Sequence, residues 1–95
     1  MTSLSTHVLD TALGRPAAGV RVELTGPDGP VAAVETDEDG RAELAGGLEP
    51  GVYRIAFWPP SPFFTRVELE IVIGDGHYHV PLLISSYGCA SYRGS

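Results

Sequence analysis

An all-β domain, either a sandwich or a barrel, is what this sequence predicts, and three observations lead there. Apolar and polar residues alternate with a period of two in several short stretches. Twelve glycines and eight prolines punctuate those stretches at intervals of about ten residues. No stretch shows the competing helical periodicity.

Thr6 to Thr11 make the first expected strand. Val20, Val22 and Leu24 then alternate with Arg21 and Glu23, one face for a core and one for water. Gly26-Pro27-Asp28-Gly29-Pro30 is a turn, because glycine and proline supply backbone angles that other residues resist, and Val31 to Glu35 follow as a shorter strand. Asp37-Glu38-Asp39-Gly40 reads as a hairpin turn into Arg41-Ala42-Glu43-Leu44, since Asp-Gly readily takes positive φ. Tyr53, Ile55 and Phe57 mark another strand, and Trp58-Pro59-Pro60-Ser61-Pro62 must be a non-helical connection. Val67, Leu69, Ile71 and Ile73 alternate with Glu68, Glu70 and Val72. Tyr78 to Ser85 form the last long strand; Pro81 cannot donate to a ladder and so points to an edge or a bulge. A short strand near Cys89 to Arg93 ends the series.

Residues 1–95 are the size of one domain, and at 43% apolar and 19% charged they suit a globular chain. No apolar run approaches the ~18 residues that a bilayer helix requires. The six cationic residues are all arginine, and the net charge of −6 argues against nucleic acid and anionic membrane as partners. A single cysteine, Cys89, cannot form an internal disulfide, and Met1-Thr2-Ser3-Leu4 has no basic segment leading into a long apolar one. A cytoplasmic location is the default expectation.

The polar residues that stand out are His7, Arg41, His77 and His79. In a strand, His77 and His79 share a face, and His7 sits mid-strand among apolar neighbours. Neutral imidazoles can take a proton from water near neutral pH, and a guanidinium can hold a planar, oxygen-rich ligand, so the set suits hydrolysis of a small anionic or carbonyl-rich substrate. Plainer readings exist for each. His7 could be a hydrogen-bonded strand residue, Arg41 a solvated turn residue, and Cys89 a small buried hydrophobe; Glu23, Glu68 and Glu70 read as a wet sheet face. A His-x-His pair also invites a metal, but no firm third ligand accompanies it, so none is expected.

Three ordered motifs together resemble the transthyretin-related 5-hydroxyisourate hydrolases over nearly the whole chain. Leu4-Ser5-Thr6-His7-Val8-Leu9-Asp10 with Gly14-Arg15-Pro16-Ala17 looks like the family's opening strand. Thr36-Asp37-Glu38-Asp39-Gly40-Arg41 looks like its arginine-bearing hairpin, and His77 to Leu83 followed by Tyr92-Arg93-Gly94-Ser95 looks like its signature ending. The resemblance implies a transthyretin-like sandwich of two four-stranded sheets and a homotetramer with sites in a channel between dimers. It also implies cofactor-free opening of 5-hydroxyisourate to 2-oxo-4-hydroxy-4-carboxy-5-ureidoimidazoline, in urate catabolism. It assigns catalysis to His7, Arg41, His79 and Ser95 and substrate binding to Arg41, Tyr92, Arg93, Gly94 and Ser95, with His77 on the strand's flank. The alternative is a non-enzymatic module of the same fold that binds a small ligand or serves as an interaction domain. In the hormone carrier of this fold the catalytic histidines and the ending are replaced, which favours the enzyme here.

Two features depart from the pattern. The family has a longer segment, usually with a short helix, where Trp58 to Pro62 stand, so that helix is expected to be missing. Ser85-Ser86-Tyr87-Gly88-Cys89-Ala90-Ser91 replaces the more usual Ser-Pro-Tyr-Gly-Tyr-Ser-Thr, which would widen the channel.

Overall fold

Residues 2–94 are described by the computed structural model, and their alternating pattern resolves into nine strands: β1 (Thr2–Asp10), β2 (Arg15–Pro16), β3 (Arg21–Gly26), β4 (Gly29–Glu35), β5 (Arg41–Leu48), β6 (Gly51–Trp58), β7 (Val67–Ile73), β8 (Gly76–Ile84) and β9 (Cys89–Ser91). One sheet runs β4-β3-β6-β7, antiparallel throughout. In the other, β1 lies parallel to β8, β9 pairs the far edge of β8, and β5 and the two-residue β2 share the other edge of β1. Each sheet thus has four principal strands, and the sandwich alternative holds. No helix occurs among the described residues.

The inward positions follow the two-residue period. Leu4 and Val8 from β1 and Val80, Leu82 and Ile84 from β8 meet Val22 and Leu24 from β3 and Tyr53, Ile55 and Phe57 from β6. Phe57 is fully buried, and truncating such a ring to alanine costs about 3–5 kcal/mol. Thr6 occupies an inward slot between Leu4 and Val8 and satisfies its hydroxyl by donating to the Val80 carbonyl at 2.6 Å.

Several local expectations are revised. Pro27 and Asp28 alone join β3 to β4, a tighter turn than the five residues expected. The Asp37–Gly40 turn does not close a hairpin, because β4 pairs with β3 whereas β5 pairs with β1, so this turn takes the chain from one sheet to the other. It is closed by its own bonds: the Asp37 amide donates to the Arg41 carbonyl (2.8 Å) and the Gly40 amide to the Asp37 carbonyl (2.9 Å). The Val8 amide then donates to the Gly40 carbonyl at 2.7 Å, seating the turn against β1. Gly40 has φ 75° and a Cβ there would run into the Val8 carbonyl, so only glycine fits.

β8 is not an edge strand, but β9 stops at Ser91, opposite Leu82, and pairing resumes only at Gly94, opposite His79. Pro81 lies in that gap. Cys89 is exposed on the outermost strand and is not a core residue. Ser61 organises the link from β6 to β7, accepting from the Phe63 and Phe64 amides (3.1 and 2.9 Å) and donating to the Ser86 carbonyl (3.2 Å).

Candidate active site

The outer face of the β5-β1-β8 sheet gathers the unusual polar residues, and strand register does the gathering. With Leu4, Thr6 and Val8 turned inward, Ser3, Ser5 and His7 must face outward. The parallel pairing of β1 with β8 sets Ser3 beside His77 and Ser5 beside His79. The antiparallel pairing with β5 sets His7 opposite Arg41 and Ser5 opposite Glu43. A register irregularity between Leu4 and Ser5 leaves Leu44 buried while Glu43 and Arg41 stay exposed.

These residues border an open cleft of about 430 Å³, walled by Ser5, Asp37, Arg41, Glu43, His77 and His79 among others. His7 stands just outside that wall, its Nε2 2.8 Å from the Asp39 carbonyl. A carbonyl only accepts, so Nε2 of His7 bears a proton, and Nδ1 is the ring's one possible acceptor. One oxygen of Asp37 is committed to the amides of Asp39 and Arg41 (2.9 and 3.0 Å). Among the described residues no carboxylate forms an ion pair with the Arg41 guanidinium; the pairs present are Arg21 with Glu23 and Arg66 with Glu68. Arg41 therefore retains its capacity to hold a ligand's oxygens.

His79 is the electrostatically distinctive member. Partial burial pushes its pKa below the ordinary histidine value, and electrostatic coupling to His7, Arg41 and His77 pushes the same way, against Glu43. The ring is consequently neutral and able to accept a proton at neutral pH. His77, expected on the flank, lines the cleft as well: its Nδ1 lies 2.6 Å from Ser3 Oγ and its Nε2 3.1 Å from Ser5 Oγ. Ser5 Oγ is also 2.8 Å from His79 Nδ1. Ser5 was not singled out from the sequence, although its place two residues before His7 puts it on the same strand face.

The tail reaches the site through one residue. Gly94 forms an isolated bridge with His79, its amide donating to the His79 carbonyl at 2.6 Å. Tyr92 and Arg93 line a separate cleft of about 360 Å³ with Leu69, Ile71 and Tyr78. The Arg93 guanidinium lies 4.0 Å from the centre of the Tyr78 ring. Ser95 lies outside the described residues. Among the described residues no three His, Cys, Asp or Glu side chains converge as metal ligands.

Comparison with known proteins bears on this arrangement. A sequence model named Transthyretin, described as the HIUase/Transthyretin family, matches residues 4–94. The 5-hydroxyisourate hydrolase of Caulobacter vibrioides is 43% identical over 115 aligned positions that take in 100% of both chains. Set against a chain of 95, those positions leave twenty without a counterpart here. Among solved structures, the 5-hydroxyisourate hydrolase of Klebsiella pneumoniae is 37% identical with a TM-score of 0.89, covering 100% of both chains. Sea bream transthyretin in complex with thyroxine is 26% identical with a TM-score of 0.85, covering 96% of this chain and 93% of that one. The scaffold thus serves both a hydrolase and a thyroxine-binding protein, and the site residues must choose between them.

Proposed function

The chain belongs to the HIUase/transthyretin family, and from that premise we propose that it is a single-domain, cofactor-free enzyme that hydrolyses 5-hydroxyisourate to 2-oxo-4-hydroxy-4-carboxy-5-ureidoimidazoline. The observation that supports this most is the pairing of a neutral, proton-accepting His79 with an Arg41 that, among the described residues, no carboxylate occupies, across one open cleft. A site that only enclosed an apolar ligand would need neither a base nor an uncompensated cation.

The product names the bond that breaks. Water adds its oxygen to a ring carbonyl carbon, the carbon–nitrogen bond to the ureide opens, and the pieces become a carboxylate and a ureido group. His79 takes the proton from the attacking water and returns one to the departing nitrogen, as a base of suitable pKa can do in both directions. Arg41 holds the attacked carbonyl and stabilises the charge that builds on its oxygen. His7, across the strand pair from Arg41, orients the substrate through the acceptor edge of its ring. Gly94 closes the wall against His79, while Tyr92 and Arg93 line the separate cleft and take no part in this wall.

The cleft lies on an outer sheet face and not inside the sandwich, so a second copy is needed to cover it. A homotetramer with clefts facing a shared channel meets that need, and light scattering should return four chain masses. A reducing cytoplasm suits the exposed, unpaired Cys89.

The decay of freshly generated 5-hydroxyisourate, followed by ultraviolet absorbance, tests the reading. Wild-type protein should accelerate the decay and the Arg41→Ala variant should not. A folded wild-type protein that leaves the decay unchanged would point instead to a small-ligand binding module.

A further inference from the structure

The hydroxyl of Ser5 lies between two imidazoles, 2.8 Å from Nδ1 of His79 and 3.1 Å from Nε2 of His77, and His77 reaches Ser3 Oγ through its Nδ1 at 2.6 Å. A hydroxyl has one proton, so Ser5 donates to one ring while accepting from the other. The row Ser3, His77, Ser5, His79 is therefore aligned head to tail in one of two directions. The direction decides which nitrogen of His79 bears its proton. If Ser5 donates to His77, then His79 donates from Nδ1 and its Nε2 is a bare lone pair. If Ser5 donates to His79, that ring carries its proton on Nε2 and cannot act as a base there.

We propose that Ser5 is a positioning residue that holds His79 in the Nδ1-protonated tautomer, and that His77 sets this direction by accepting the Ser5 proton. The catalytic consequence rests on the hydrolase reading; the tautomer itself does not.

Two features select the direction. His79 shares the cleft with Arg41, whose positive field acts on the ring and which lacks a carboxylate partner among the described residues, with Glu43 opposing. A lone pair turned toward that field is favoured over an N–H. At the other end of the row, His77 is exposed and Ser3 half-buried, so Ser3 can accept from His77 Nδ1 and pass its own proton to water. The reverse direction would draw the Ser3 proton inward and end the row on an N–H in the positive field of Arg41.

The same wiring gives the site an outlet for charge. When His79 gains a proton at Nε2 from water, its Nδ1 proton can pass to Ser5 while the Ser5 proton passes to Nε2 of His77. The positive charge then rests on the more exposed ring; as His79 Nε2 gives its proton to the departing nitrogen, the relay runs back, His77 returning a proton to Ser5 and Ser5 one to His79 Nδ1, and the starting state is restored.

Long-range proton–nitrogen correlation NMR on the imidazoles, at neutral pH, reads the tautomer directly. Wild type should show His79 protonated on Nδ1. Ser5→Ala should move it toward the Nε2 form and lower kcat about 10- to 100-fold with little change in KM. His77→Phe, which removes the acceptor while leaving Ser5 free to donate to His79, should shift the tautomer the same way, and Ser5→Thr should restore it. A wild-type His79 protonated on Nε2, or a tautomer indifferent to Ser5→Ala, would overturn the proposal. The expected spectrum from a protein that does not accelerate the decay would overturn the hydrolase reading, and with it only the catalytic half of the inference.

Discussion

Adding one methyl group at Gly94 should disable the enzyme while leaving the fold in place. A Cβ built on Gly94 falls 2.8 Å from His79 Cδ2, 3.3 Å from its Cβ and 3.2 Å from its carbonyl oxygen. Non-bonded carbons rest at about 3.5–4.0 Å, so Gly94→Ala forces a separation of about 0.7–1.2 Å between the tail and the ring. If the ring yields, it leaves the position that Ser5 holds; if the tail yields, the 2.6 Å bond from Gly94 to the His79 carbonyl breaks and one wall opens. A misplacement of about 1 Å costs up to roughly 100-fold in rate, so kcat should fall about 10- to 100-fold, a barrier increase of about 1.4–2.7 kcal/mol. Gly94 lies beyond β9 and outside the apolar core, so the unfolding free energy should change by less than about 1 kcal/mol. The measurement is the 5-hydroxyisourate absorbance decay of purified Gly94→Ala, paired with urea unfolding. A variant with the wild-type kcat would refute the idea that the tail governs the placement of His79.

Gly40→Ala should act in the opposite sense, chiefly on stability. Its φ of 75° alone costs a residue with a Cβ about 1–2 kcal/mol, and the collision with the Val8 carbonyl adds to that, so urea unfolding should show a loss of at least ~2 kcal/mol. The acid limb of the kcat/KM profile should lie below the ordinary histidine pKa of about 6.5, because burial first and neighbouring positive charge second disfavour the His79 imidazolium. Stability follows the same sign. As pH falls through about 6.5 the unfolded chain binds a proton at this position before the native one does, so the contribution of neutral His79 is intact above that value and lost below it, toward the lower native pKa. Arg41→Ala removes one of those positive charges and should raise the His79 pKa in an NMR titration, whatever its effect on turnover; an unchanged or lowered value would contradict the electrostatic account.

The strands were legible because burial imposes a period of two: Val22 and Leu24 against Glu23, and Val67 and Ile73 against Glu68, can satisfy one core face in no other way. Motif resemblance added the association of His7, Arg41 and His79, which spacing alone could not supply. Partner choice was not legible. Asp37–Gly40 signals a chain reversal, but a turn signal is local and does not say whether the strand that follows joins its predecessor or crosses to another sheet; β5 crosses to β1. Cys89 has an apolar side chain suited to a core, yet its exposure follows from β9 being the outermost strand of its sheet. The row linking Ser3, His77, Ser5 and His79 joins residues more than seventy positions apart. It exists because β1 and β8 pair in parallel in one register, and a shift of a single residue would turn Ser5 away from both imidazoles. Chemical identity is written residue by residue, whereas the proximity that makes two imidazoles and a hydroxyl into one proton-conducting row arises only when a ladder of backbone hydrogen bonds selects that register.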